Sequence, residues 1–275
     1  MERFCDLHTH SLFSDGSCTP AEIIDLAISA GLSAVALCDH NTTDGLPDFI
    51  SCAKGKNITA ISGVELSSEY NGTELHIVGL FIPDDKLCSV KNFTNTFNER
   101  KKESNIRLIQ ALNSAGYSVD IENILKKTPS GHFNRAHVAA ELVALGYSPS
   151  IKDAFDNILS EKNGYYVPPK RLSSFEAIEF LSSIGAVSVL AHPLLNLCEA
   201  ELCTFLPKAK KYGLGAVETI YSSYTPEQSA FMAEIAKKFD LKESGGSDFH
   251  GENKPDVKLG DTKVPYDFLE ILKRR

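Results

Sequence analysis

The chain has 275 residues, 43% of them hydrophobic and 23% charged, and a formal net charge of −8. Such a composition excludes a disordered or fibrous chain, and the length suits two average domains or one large barrel that needs no disulfide framework. The negative balance disfavours long non-specific contact with a nucleic-acid backbone and leaves room only for a local basic pocket.

The first third alternates short apolar runs with helical patterns. Arg3 to Leu7 reads as a strand. Thr19-Pro20-Ala21-Glu22 opens a helix, with Thr19 as N-cap, Pro20 in the first turn and Glu22 three residues after the cap; Gly31 stops it. Ala34-Val35-Ala36-Leu37-Cys38 is a continuous apolar run of strand length, the kind covered on both faces in parallel sheets. A helix near Gly45 to Ala53 and strands near 59–66 and 74–82 follow, so the punctuation is that of an α/β fold. From about Val90 to Ser160 the chain reads as helical: a long helix over 91–114, then shorter ones near 121–127, 134–145 and 150–160. After Tyr165-Tyr166-Val167-Pro168-Pro169, Ser173 caps a helix and alternation resumes, with strands near 186–191, 216–220 and 242–247 and a terminal helix over 266–273. Seven strands outside the helical block predict a closed or nearly closed α/β barrel, residues 1–90 and 166–275, interrupted by an all-helical insertion, residues 91–165.

The seven cysteines are odd in number, irregularly spaced and without a CxxC, which points to reduced thiols rather than a disulfide or zinc scaffold. The opening MERFCDLHTH carries charge at once and no apolar stretch, and no run approaches the roughly 20 apolar residues of a membrane span. A cytoplasmic location is expected.

Functional residues of barrels sit at the carboxyl ends of strands and just beyond. His8 and His10 follow the first strand, with Asp15 in the next loop; Asp39 and His40 end the second, Glu65 the third; His76 lies in the fourth; His192 ends the fifth; Asp248 and His250 end the last. Only His132 and His137 fall in the helical block. Alternate residues of a strand share a side, so His8 and His10 can reach one ion together. Joined by Glu65, His192 and Asp248-x-His250, they form a mixed nitrogen and carboxylate set suited to zinc, manganese or iron. Nine candidate ligands exceed the needs of one ion and imply two or three, a carboxylate bridging a pair. Such a centre suits hydrolysis of a phosphate ester or of an amide-like bond. Arg135, near the start of a helix, is placed to clamp a phosphate, and Lys162 in the SEKNG turn would add a second cation. His137 reads as an interior histidine bonded to a carbonyl.

The segments DLHTHSLFSDG, CDHNTTDG, GVELSSEYNGTELHIVG, LAHP and GSDFHG, in that order, resemble the PHP family of polymerase and histidinol-phosphatase domains. The resemblance implies a distorted (β/α)7 barrel with three metal sites. By motif position, His8, His10, Glu65 and Asp248 would hold one ion. Glu65, His76 and His192 would hold a second, and Asp15, His40 and His250 a third. Glu65, His192 and Asp248 are the expected catalytic residues. NRAHVAAELV, YYVP and VETIYSSYTPEQ are similar to a subfamily of stand-alone phosphoesterases that includes a nucleoside 3′,5′-bisphosphate phosphatase and a 5′-to-3′ exoribonuclease. That likeness implies that the insertion caps the metal cleft, that Arg135 and Lys162 grip a second phosphate, and that the substrate is a small nucleotide or short oligonucleotide. Two departures stand out: Asp15 occupies a position that is His in some relatives, and Ser222-Ser223-Tyr224 stands where the subfamily commonly carries His. The competing expectations are a metal-dependent C–N hydrolase and a non-catalytic metal-binding module.

Overall fold

The computed structural model describes residues 2–128, 133–169 and 171–274. Seven strands of four residues or more appear where the sequence places them: β1 (Phe4–Thr9), β2 (Ala34–Leu37), β3 (Thr59–Tyr70), β4 (Thr73–Leu80), β6 (Val187–Leu190), β7 (Leu214–Tyr221) and β8 (Lys242–Gly246). Two further strands, β5 (Leu172–Ser173) and β9 (Val264–Pro265), have only two residues each, too short for any periodicity to reveal. The sheet runs β8-β7-β6-β4-β3-β2-β1-β9, with β5 against β3. Backbone bonds from Asp248 N to His8 O (2.9 Å) and from His10 N to Phe249 O (2.9 Å) join the two ends, so the sheet is a nearly closed barrel.

β4 is antiparallel to both neighbours, β3 and β6. The β3–β4 turn is Asn71-Gly72, both at positive φ (52° and 83°), as a tight two-residue hairpin requires. Reversal has a functional consequence. The first residues of β4, Glu74 and His76, lie at the barrel end where the parallel strands finish, and His76 pairs with Ser67 just beyond Glu65.

A cluster joining Leu7, Ala36, Ile61, Val78, Val189 and Ala216 draws on six strands and fills the barrel. Outside, α1 (Pro20–Ser29) and α2 (Leu46–Ala53) cover β2 through Ile23, Ile24 and Phe49, while α7 (Ser174–Ser183), α8 (Glu199–Lys211) and α9 (Pro226–Lys238) cover the other half through Leu181, Phe205 and Met232. The expected capping box of α1 is present: Thr19 Oγ1 accepts from Glu22 N–H (3.2 Å) and Glu22 accepts from Thr19 N–H (2.7 Å). α10 (Tyr266–Lys273) closes the chain.

Between β4 and β5 stand α3 (Leu87–Ser114), α4 (Ile121–Lys126), α5 (Arg135–Ala144) and α6 (Ile151–Asn157). α3 serves two cores. Its early residues Val90, Phe93 and Phe97 pack on the barrel's outer layer. Its later residues Leu108 and Leu112 join Val138, Leu142, Ala154 and Leu159 in a separate cluster. No helix among the described residues is long and apolar enough to cross a membrane.

Candidate active site

Glu65 is the hub of the barrel mouth and is fully buried. Its Oε2 lies 3.3 Å from His8 Nε2, 3.2 Å from His10 Nε2 and 3.1 Å from His40 Nδ1. Its Oε1 lies 2.9 Å from His76 Nδ1 and 3.1 Å from His192 Nε2. One carboxylate thus faces five imidazoles, three on one oxygen and two on the other. Asp248 Oδ1 approaches His10 Nε2 at 3.1 Å, and Asp15 Oδ1 approaches His250 Nε2 at 3.2 Å. The structure therefore brings together all nine of the ligand candidates read from the sequence.

Three groups have donor atoms mutually within 4.8 Å: His8, His10, Glu65 and Asp248; His10, Asp15, His40 and His250; and His40, Glu65 and His76. The grouping by motif differs in two places: its Asp15, His40 and His250 set lacks His10, and its Glu65 and His76 set has His192 in place of His40; His192 reaches the same Glu65 oxygen as His76. The residues fit divalent ions. His8 Nε2, His10 Nε2, Asp15 Oδ1, His40 Nδ1 and Glu65 Oε2 are buried and without a hydrogen-bond partner. Buried polar atoms are seldom left so, and a cluster of lone-pair donors converging on common points is what an ion satisfies.

The electrostatics agree. Burial alone would raise the Glu65 carboxyl, but the imidazoles packed against it hold it well below the carboxylate range. Asp15 and Asp248 behave alike, each ionised beside imidazoles despite burial. Burial pushes His40 down to about 3, so it stays neutral. Burial also opposes charge on His10 and His76, yet the carboxylates beside them lift His10 to about 9 and His76 to about 10. His192 and Asp248 have positive φ (30° and 55°), rare for residues with a side chain and characteristic of functional positions.

Buried carboxylates outside the ligand set hold it in shape. Glu218 on β7 accepts from His192 N–H (2.6 Å) and lies 2.8 Å from His8 Nδ1, fixing which nitrogen His8 offers to Glu65. Asp39 accepts from Ser11 N–H (2.8 Å), Ser11 Oγ (2.7 Å) and Ser14 Oγ (2.7 Å), which pins the loop carrying Asp15. Sequence reading missed Glu218, although its place near the carboxyl end of a barrel strand was the available signal.

A cleft of about 220 Å³ is lined by Asp15, His40 and His76 together with the cations Lys101, Arg135 and Arg171. Arg135 is the first residue of α5, and its guanidinium lies 4.2 Å from the Tyr166 ring centroid. Glu74 sits between the arginines, 3.1 Å from Arg171 and 3.8 Å from Arg135. Lys162 does not join them. It lies exposed on the 3-10 turn Glu161–Asn163, outside the cleft lining, and the cations beside Arg135 are Lys101 and Arg171. Tyr224, in the segment Ser222-Ser223-Tyr224, accepts at its hydroxyl from Leu194 N–H (2.9 Å) and so props the turn after His192. His137 Nδ1 accepts from Asn134 N–H (3.1 Å), and His132 lies outside the described residues.

The chain matches the PHP domain family over residues 6–167. It is 31% identical to a 5′-3′ exoribonuclease of Haemophilus influenzae, covering 91% of each chain. It is 28% identical to a phosphoribosyl 1,2-cyclic phosphate 1,2-diphosphodiesterase of Eggerthella lenta, over 90% of this chain and 94% of that one. It is also 28% identical to a 3′,5′-nucleoside bisphosphate phosphatase of Chromobacterium violaceum, over 92% and 90%. A solved structure from Bifidobacterium adolescentis, classed as a metal-dependent phosphoesterase, superposes with a TM-score of 0.87 at 26% identity, covering 98% of this chain and 95% of that one.

Proposed function

The chain belongs to the PHP domain family and is a metal-dependent phosphoesterase, and we propose that its substrates are small nucleotides with two phosphate groups, either a nucleoside 3′,5′-bisphosphate or a short 5′-phosphorylated oligonucleotide. One observation carries this reading: a single cleft is lined both by the ligand candidates Asp15, His40 and His76 and by the cations Lys101, Arg135 and Arg171. A substrate with one phosphate beside Asp15, His40 and His76 and another against the cations matches both sets of residues. The relatives named for an exoribonuclease and a bisphosphate phosphatase act on molecules of this kind.

In this reading the nine ligands hold two or three divalent ions, manganese, iron or zinc, and Glu65 bridges a pair. Ions bound there supply Lewis acidity, lowering the pKa of water and neutralising charge on the phosphoryl oxygens. Glu65, His192 and Asp248 are the residues nearest the chemistry, and Glu218 holds the His192 backbone at its strained φ through the bond to its N–H. Lys101, Arg135 and Arg171 grip the phosphate that is not cleaved, so that binding energy from a remote group orients the reacting one. Phe97 and Tyr166 give the cleft an apolar wall for the base. The helices from α3 to α6 cap the site, residues 91–165 forming an insertion in the barrel of residues 1–90 and 166–275.

The test is a substrate panel with Mn²⁺: adenosine 3′,5′-bisphosphate, a 5′-phosphorylated RNA pentamer, an aryl phosphate and a cyclic amide. A bisphosphate or 5′-phosphorylated oligomer should exceed the aryl phosphate in kcat/KM by on the order of 100-fold, the worth of well-placed charge-assisted contacts. Equal turnover of all phosphate esters would remove the second-phosphate reading, and cleavage of the amide alone would remove the function.

A further inference from the structure

β7 is the one long barrel strand, among the described residues, that supplies no ligand candidate, yet its carboxyl end points two polar side chains at ligands supplied by other strands. Glu218 holds His8 and His192. Three residues on, buried Tyr221 donates its hydroxyl hydrogen to Asp248 Oδ2 at 2.8 Å. Lys254, in the loop after His250, donates to the same Oδ2 at 2.9 Å and to the Tyr221 oxygen at 3.0 Å, closing a triangle. The other oxygen, Oδ1, is the one that faces the ligand cluster: His10 Nε2 at 3.1 Å, His250 Nδ1 at 3.5 Å and His8 Nε2 at 3.7 Å.

The two oxygens of Asp248 are therefore in different company. A carboxylate left to itself rotates and can present either oxygen, or both, to a cation. Here the backbone does not choose, because the terminal torsion of an aspartate is broad and turns either oxygen toward the same point at little cost. The choice is made by the two donors. A phenol has one hydrogen to donate, and Tyr221 commits it to Oδ2. Its ring is fixed in turn by packing on Tyr224, with centroids 5.2 Å apart.

We propose that Tyr221 and Lys254 are positioning residues that clamp Oδ2 of Asp248 and so assign Oδ1 to a divalent ion shared with His8, His10 and Glu65. The proposal rests on the metal-centre reading above, and it adds a role for a strand and a loop lysine that the ligand motifs leave out. Outer partners of a ligand typically tune metal affinity by 10- to 100-fold.

The experiment titrates metal-stripped protein with Mn²⁺ against a chelator of known affinity, for wild type, Tyr221→Phe, Lys254→Met, the double variant and Lys254→Arg. Each single change should weaken one equivalent of Mn²⁺ by roughly 10- to 100-fold and leave the others unmoved. The double variant should lose little more than the worse single one, because both side chains act on one oxygen. Lys254→Arg should recover most of the affinity. In turnover, kcat should fall at saturating bisphosphate with KM unchanged. Tyr221→Phe removes only a hydroxyl, so it reports even if Lys254→Met folds poorly. Unchanged Mn²⁺ affinity in both single variants overturns the clamp alone. A raised KM with kcat intact also overturns it and makes Lys254 a substrate contact. Wild-type protein that takes up no metal overturns the metal centre and the clamp with it.

Discussion

Asn134 uses both ends of its side-chain amide: Nδ2 donates to Asp15 Oδ2 at 3.0 Å, while Oδ1 accepts from the backbone N–H of Ala136 and His137 at 2.9 and 3.2 Å. A helix cap in the segment between β4 and β5 thus holds a ligand candidate of the barrel. Two substitutions separate the roles. Asn134→Ala removes cap and tether, and should cost about 1 kcal/mol, a fall in Tm of roughly 2–4 °C. Asn134→Asp keeps the cap, since Asp and Asn cap equally well, but sets a second carboxylate against Asp15. With the cap kept, its fall in Tm reports the lost bond to Asp15 alone, and kcat/KM should fall on the order of 10-fold or more, the cost of disturbing a ligand's outer partner. Full activity in both would reduce Asn134 to a cap.

Metal uptake should be strongly pH-dependent, and the sign follows from the imidazoles. In metal-free protein His10 titrates near 9 and His76 near 10, so both carry protons at pH 7.5, whereas a ligand must be neutral. Binding therefore expels protons, and affinity should climb up to about pH 9–10. Stability of the metal-free protein runs the other way. Groups whose folded pKa is raised contribute fully below the unfolded value of about 6.5, and that contribution is lost as pH rises through their folded values. Metal-free Tm should thus decline from pH 6.5 to 9.5, and the Tm gain on adding Mn²⁺ should widen over the same range. A gain independent of pH would mean that these histidines are not displaced from their protons by metal.

The convergence of the candidate ligands was legible because a barrel puts its working residues at strand ends, and the strands here announce themselves as apolar runs such as 34–38. What was not legible came from tertiary convergence. Lys101 lies in the charged stretch NERKKES of α3, which has the look of a solvated helix face; only the packing of α3 across the mouth turns it into the cleft. Lys162 had an equally good sequence signal and is exposed. Arg171 follows a proline-rich break and enters the cleft because the two-residue strand β5 pairs beside Ser68 and Glu69. Asn71-Gly72 was a hairpin signal, and reading it as such would have shown that β4 reverses and why His76 lies near its beginning.

Barrel closure depends on a glycine. A Cβ on Gly246, the last residue of β8, would fall 2.4 Å from His8 Cβ and 2.6 Å from His8 N. Neither atom is a flexible chain end, so Gly246→Ala must push β8 away from β1 and carry His8 off its line to Glu65. We expect destabilisation of at least about 2 kcal/mol, or roughly 4–8 °C in Tm, with loss of Mn²⁺ from the His8, His10, Glu65 and Asp248 group. Gly31→Ala is the control: its Cβ would meet nothing within 4 Å, although its φ of 75° makes it a strained position in its own right, so it should cost stability without costing metal. Normal metal content in Gly246→Ala would show that the barrel seam tolerates displacement.

Arg135 decides between substrate classes. Its guanidinium is held by the Tyr166 ring at 4.2 Å and by Glu74 at 3.8 Å, and it faces the same cleft as Asp15, His40 and His76. A clamp for the uncleaved phosphate should matter only when that phosphate exists. Arg135→Ala should lower kcat/KM for a 3′,5′-bisphosphate or a 5′-phosphorylated oligomer by on the order of 30- to 1000-fold, the 2–4 kcal/mol of a well-desolvated charge-assisted contact. It should scarcely alter hydrolysis of an aryl phosphate. Arg135→Lys keeps the charge but loses the planar fork and the stacking on Tyr166, so it should recover only part of the loss. Equal losses on both substrates would place Arg135 at the reacting phosphate. No loss on either would make Arg171 and Lys101 the whole of the cationic wall, and the same assay on Arg171→Ala would then show whether a second phosphate is held there at all.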